Sequence, residues 1–130
     1  MGAAVILVVE DEFLIRLLLA DALRQRGYHV IEAVTADEGL DVLGSEQQVD
    51  LIITDVQTPG RFDGMDLTAH SKRTNPCRPV IVCSGHLSAE ASYPADLFFA
   101  KPYFEAAIID AAEKLIGTPC QSQAQDRAAS

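Results

Sequence analysis

Basic side chains are scarce in this 130-residue chain: 10 Lys and Arg stand against 19 Asp and Glu, a formal net charge of −9. A phosphate backbone is bound through a basic patch that displaces counterions, so nucleic acid is not expected as a direct partner. An acidic membrane surface is disfavoured on the same ground. Long hydrophobic runs are also missing. The N-terminal run Ala3 to Val9 meets Glu10-Asp11-Glu12 and has no basic leader, so neither a secretory signal nor membrane insertion is expected. Met1-Gly2 does not read as a myristoylation site, because Ile6 stands where Ser or Thr is required. The three cysteines, Cys77, Cys83 and Cys120, cannot all pair with one another, and with His86 they fit no common zinc spacing. A reduced, cytoplasmic protein is expected, with Cys83 a buried thiol.

What is present is enough for one domain. Apolar residues make up 48% of the chain, which excludes disorder as the main state. Short apolar runs alternate with amphipathic stretches. Val5 to Val9 is apolar on both pleat faces, as a central parallel strand requires. The period then turns helical from Glu12 to Arg26, with Leu14, Leu18 and Ala22 on one stripe, Glu12, Arg16 and Arg24 facing away, and Gly27 as the stop. His29 to Ala33 reads as an edge strand and Ala36 to Leu43 as a short helix. Leu51 to Thr54 is a second buried strand, followed after turn chemistry by a helix from about Met65 to Arg73. Val80 to Cys83 and Leu97 to Ala100 complete five strands. The last helix carries Phe104, Ala107, Ile108, Ala111, Ala112, Leu115 and Ile116 on one face and stops at Gly117. This alternation predicts an α/β fold, a parallel sheet covered on both faces. The domain is read as residues 1–117, with 118–130 a loose polar tail.

In such a sheet, ligands sit beyond the carboxyl ends of the strands. Strand one ends in Glu10-Asp11, strand three in Asp55, strand four in Ser84 and strand five in Lys101-Pro102. Each has an ordinary reading as a helix or turn cap. Together they are harder to obtain from capping, because four separate strand ends deliver carboxylates, a hydroxyl and an ammonium to one rim. At an effective dielectric near 20, crowded carboxylates repel by on the order of 4 kcal/mol per pair. A hard divalent cation such as Mg²⁺ removes that cost and leaves positions for phosphate oxygens. One carboxylate is then free to act as nucleophile toward a phosphoryl group.

These residues resemble the receiver domain of two-component response regulators. The resemblance covers about residues 3 to 116 and rests on Val8-Val9-Glu10-Asp11-Glu12, Asp55 with Pro59 four positions on, Asp63-Gly64, Ser84-Gly85 and Lys101-Pro102. It implies a flavodoxin-like, doubly wound five-stranded sheet in the order 2-1-3-4-5. It implies Asp55 as phosphoacceptor from a histidine kinase or phosphotransfer protein, and Mg²⁺ held by Glu10, Asp11, Asp55 and the backbone carbonyl of Gln57. Ser84 matches the switch hydroxyl, Lys101 the lysine paired with the phosphoryl group, Pro102 a cis-proline, and Phe98 the switch aromatic. The function implied is a single-domain phosphorelay switch that alters protein–protein contacts with an unknown downstream target. It is not an enzyme on other substrates, and is a monomer or weak dimer. Ile15, Leu17 and Leu19 widen the apolar face of helix one, which reads either as a helix buried more than usual or as a surface docking the phosphodonor, with Ile15 and Leu19 as the docking candidates.

The chain departs from the family at three places. The loop after Pro59 carries one residue more, the segment between Ser84 and Lys101 is short enough for the fourth helix to be reduced or absent, and Pro94-Ala95-Asp96 replaces a Gly-Ala turn. Two alternatives keep the fold: a degenerate docking module that is never phosphorylated, and a receiver cut from a hybrid kinase. A haloacid-dehalogenase-type phosphatase is disfavoured, because Gln57 stands where that chemistry needs a general-acid Asp.

Overall fold

The structure, a computed structural model, describes residues 2–85 and 95–118. The elements follow in the order β1 (Val5–Val9), α1 (Phe13–Gln25), β2 (His29–Ala33), α2 (Ala36–Gly44), β3 (Leu51–Asp55), α3 (Gly64–Thr74), β4 (Val80–Ser84), β5 (Leu97–Ala100) and α4 (Glu105–Gly117). All four ladders are parallel, in the order β2-β1-β3-β4-β5, as expected. The fourth helix of the family, expected here to be reduced or absent, would fall on residues 86–94, outside the described residues, as does the tail from 119 onward.

The pleat of β1 shows why the sheet is covered on both faces. Ile6 and Val8 point into one core with Leu19 and Leu23 of α1 and Ile108 and Ala112 of α4. Leu7 and Val9 point into the other, with Ala36 of α2 and Leu67 of α3. Period-2 alternation in a strand buried on both sides therefore reads as an unbroken apolar run. Helices α2 and α3 are started by side chains. Thr35 accepts the Glu38 N–H at 3.1 Å to cap α2, and Asp63 forms a reciprocal capping box with Asp66 at the start of α3.

Helix α1 is turned relative to the expected stripe. Its buried residues are Leu19, Ala20 and Leu23, whereas Leu14 and Leu18 are 63% and 49% exposed. The helix is apolar almost all round, so periodicity alone does not choose a face. Polar anchors choose it instead. Arg16 and Arg24 turn toward the sheet and both bind Glu32 of β2, at 3.1 and 3.0 Å. Leu19 is thereby corrected from a docking candidate to a core residue, while Ile15 stays half-buried at the edge of a surface groove. Phe104, expected inside, is 84% exposed, because α4 begins after it and buries Ile108 and Ile109 instead.

Of the cysteines, Cys83 is a free, buried thiol, as expected. Cys77 is disulfide-bonded, a departure from the reduced state expected for all three.

Candidate functional site

Sheet register assembles the site. Val9 pairs with Thr54, so the next residues, Glu10 and Asp55, leave adjacent strands at the same level. Asp55 pairs with Cys83 and Ser84 with Ala100, which brings Ser84 and Lys101 to that edge as well. The Lys101 N–H donates to the Ser84 carbonyl at 2.8 Å and continues the β4–β5 ladder by one step. The Lys101-Pro102 peptide is cis.

Carboxylate oxygens of Glu10, Asp11 and Asp55 lie within 4.8 Å of one another. Lys101 Nζ bridges two of them, donating to Glu10 Oε1 at 2.6 Å and to Asp55 Oδ2 at 3.1 Å. Glu10 Oε2 also accepts the Glu12 N–H at 3.1 Å. Asp55, Gln57, Ser84, Gly85 and Lys101 line an open cavity of about 200 Å³ at this edge. Ser84 is buried, and Phe98 is half-buried against the second core.

Burial and charge crowding act in the same direction on the acids. Burial raises the Glu10 carboxyl above its ordinary value and Asp55 adds repulsion, against the opposing pull of Lys101. Burial raises Asp55 too, and Asp11 reinforces the shift while Lys101 opposes it. Burial alone would lower Lys101, but its two carboxylate partners outweigh that, and the ammonium is held above its ordinary value. The site is therefore a carboxylate cluster whose repulsion one lysine only partly offsets. Hard oxygen donors gathered at this spacing suit a hard divalent cation. By contrast, burial pushes the Cys83 thiol up to about 12, so it stays protonated and unreactive despite its place beside Asp55 in the sheet.

Two contributors are not evident from the strand-end reading. Arg16 was expected to face away, yet its guanidinium is largely buried and donates from Nη1 to the Glu10 carbonyl at 2.8 Å while Nε holds Glu32. It thus ties the acidic loop to α1 and β2. The available signal was Glu32, a carboxylate within a strand directly beside Val8. The second is Gly64. A Cβ on it would fall inside the Asp55 carbonyl oxygen, and its own N–H donates to the Val56 carbonyl at 2.7 Å. Only glycine permits α3 to begin this close to Asp55.

A doubly wound parallel sheet in this strand order, with a lysine-bridged carboxylate cluster at its carboxyl edge, defines an α/β module of the flavodoxin-like type. Residues 6–113 match the family model of the response regulator receiver domain, and the chain belongs to that family. Among curated relatives, it is 38% identical over 112 residues to the sensor kinase CckA of Brucella abortus, covering 78% of this chain but only 11% of that protein. It is 28% identical over 116 residues to sporulation initiation phosphotransferase F of Bacillus subtilis, covering 85% of this chain and 92% of that one. Among solved structures, the response regulator TrrA of Thermotoga maritima in complex with Mg²⁺-BeF superimposes with a TM-score of 0.77 at 27% identity, over 86% of this chain and 98% of that one. Receiver domains are regulatory phosphoacceptors rather than enzymes acting on a separate substrate.

Proposed function

We propose that this chain is a phosphorylation-controlled switch of a two-component phosphorelay, with Asp55 as its phosphoacceptor. The observation that carries this reading is the bridging of Glu10 and Asp55 by Lys101 beside Asp11. The carboxylate of Asp55 attacks phosphorus in a donor phosphohistidine. A P–O bond forms, the P–N bond breaks, and the electron pair returns to the imidazole nitrogen. Lys101 and Ser84 line the cavity beside Asp55 and would meet the phosphoryl oxygens as charge and hydrogen-bond donor. Glu10, Asp11, Asp55 and the Gln57 carbonyl would hold Mg²⁺, which supplies charge neutralisation for the incoming phosphoryl group. The Mg²⁺-BeF complex of TrrA supports that choice of ion. Ser84 and Phe98 would carry the change of state from this edge to β4 and β5.

A donor also needs a place to sit. Phe13, Leu14 and Leu18 of α1 and Phe104 before α4 are exposed. Ile15, Leu18, Lys101, Pro102 and Phe104 line a mostly apolar groove of about 530 Å³ that leads to the Lys101 side of the site. The donor histidine would approach across this groove on a histidine kinase or phosphotransfer protein. Groups of exposed large apolar side chains commonly mark protein contacts.

The test is the intact mass after incubation with acetyl phosphate or phosphoramidate. One phosphoryl adduct that needs Mg²⁺ and is lost in Asp55→Asn is expected. No adduct, with no response of the melting temperature to beryllofluoride and Mg²⁺, would leave a docking module that works without phosphorylation.

A further inference from the structure

The loop between β3 and α3 is clamped by a residue of another element. The Asp37 carboxylate in the first turn of α2 accepts two of the loop's backbone donors, the Phe62 N–H at Oδ1 (3.0 Å) and the Arg61 N–H at Oδ2 (3.2 Å). The Thr58 hydroxyl oxygen accepts the Ala36 N–H of α2 at 3.0 Å and lies 3.4 Å from the Phe62 carbonyl, to which it donates. Gly60 makes the approach possible. It has φ +112°, and a Cβ there would lie 2.9 Å from Asp37 Oδ1. At the other end the loop is closed by the Gly64 N–H to Val56 carbonyl bond, and Val56 itself is tied to β4 through its N–H to the Cys83 carbonyl at 3.0 Å.

Gln57 therefore lies between two fixed neighbours, Val56 at the neck and Thr58 on the clamp, and it lines the cavity shared with Asp55, Ser84 and Lys101. We propose that Asp37 is a positioning residue for the phosphorylation site: by gripping the backbone of Arg61 and Phe62, it sets where the Gln57 carbonyl points. The inference rests on the reading of that carbonyl as a metal ligand. An unclamped loop would leave the Arg61 and Phe62 N–H groups to water and Gln57 free to sample several directions. The ordering cost would then fall on metal binding.

The experiment is a titration of the full chain with magnesium chloride by calorimetry, for the wild type, Asp37→Ala, Asp37→Asn, Thr58→Ala and Thr58→Ser, with the exposed Asp41→Ala of the same helix as a control for lost surface charge. Asp37→Ala is expected to weaken Mg²⁺ binding about tenfold, the low end of what loss of a supporting partner costs a metal site. Asp37→Asn, which keeps one acceptor oxygen, should fall between, Thr58→Ser should match the wild type, and Asp41→Ala should leave affinity unchanged. The Gln57 amide resonance should broaden or shift in Asp37→Ala, which a role confined to stabilising α2 would not cause. Equal affinity in Asp37→Ala and wild type would overturn the clamp, as would equal weakening in Asp41→Ala. Thr58→Ala provides the same test if Asp37→Ala does not fold. A wild type that binds no Mg²⁺ at all would instead overturn the metal reading beneath it.

Discussion

Replacing Asp55 by Asn should make the metal-free protein more stable, although it removes one member of an ion pair. Asp55 has two like-charged neighbours, Glu10 and Asp11, with carboxylate oxygens within 4.8 Å, and one opposite charge, Lys101 at 3.1 Å. At an effective dielectric near 20, each repulsion is worth at least about 3 kcal/mol and the attraction about 5 kcal/mol. Two repulsions and the loss of hydration thus exceed the single attraction, in agreement with the upward displacement of the Asp55 carboxyl. Asn keeps an oxygen to accept from Lys101, so the hydrogen bond survives while the charge does not. The expected gain is about 1–2 kcal/mol, or about 4–10 °C in melting temperature. Calorimetric melting in EDTA at pH 7 measures it. The linkage sign follows from the same shift. A carboxyl raised above its unfolded value costs stability once the pH exceeds that unfolded value, and the cost disappears as the pH falls through the raised value toward the ordinary 3.8. Lowering the pH from neutral across that window should therefore raise the melting temperature of the metal-free wild type relative to Asp55→Asn. Mg²⁺ at neutral pH should stabilise the wild type more than the variant. An Asp55→Asn protein that melts at or below the wild-type temperature in EDTA would refute the reasoning about crowding.

The rotation of α1 predicts that Leu19→Ala costs about 2–5 kcal/mol, as truncation in a packed core does, while Leu14→Ala stays within about 0.5 kcal/mol. Urea denaturation would show the reverse if α1 faced the other way. Arg16→Met should cost about 2–3 kcal/mol, since it leaves the Glu32 carboxylate and the Glu10 carbonyl without this partner. Adding Glu32→Leu should recover part of that loss, so additive effects in the double-mutant cycle would count against a direct coupling. Gly64→Ala should be the most disruptive small change at the site, because its methyl group displaces the Asp55 backbone. Slower labelling by acetyl phosphate at a temperature where the variant remains folded would confirm it, and an unchanged rate would not.

The strands and the rim they share were legible in the sequence for a common reason, whereas their order followed from the family resemblance. Buried parallel strands appear as unbroken apolar runs, and the residue after each run is necessarily at the carboxyl edge. Glu10, Asp55, Ser84 and Lys101 could therefore be assigned to one rim before any geometry was known, and register brings them together there. The face of α1 was not legible, because Leu14, Leu18 and Leu19 are equivalent to a periodicity argument. What separates them is the hold of Glu32 on Arg16 and Arg24, an interaction between a helix and the next strand that no periodicity within the helix records. The grip of Asp37 on the loop was hidden for the same reason: an acid in the first turn of a helix already has a local explanation in the helix dipole. The exposure of Phe104 depended on where α4 begins, and helix boundaries are poorly marked when no side chain caps them.

Asp55, and no other acid of the cluster, is expected to take the phosphoryl group. Treating the chain with acetyl phosphate and Mg²⁺, reducing with borohydride and sequencing the peptides by mass spectrometry tests it directly, because borohydride converts an aspartyl phosphate to homoserine. Homoserine is expected at position 55 alone, dependent on Mg²⁺ and much reduced in Lys101→Ala. Reduction at another residue, or at none under conditions where the protein is folded and Mg²⁺ is bound, would contradict it.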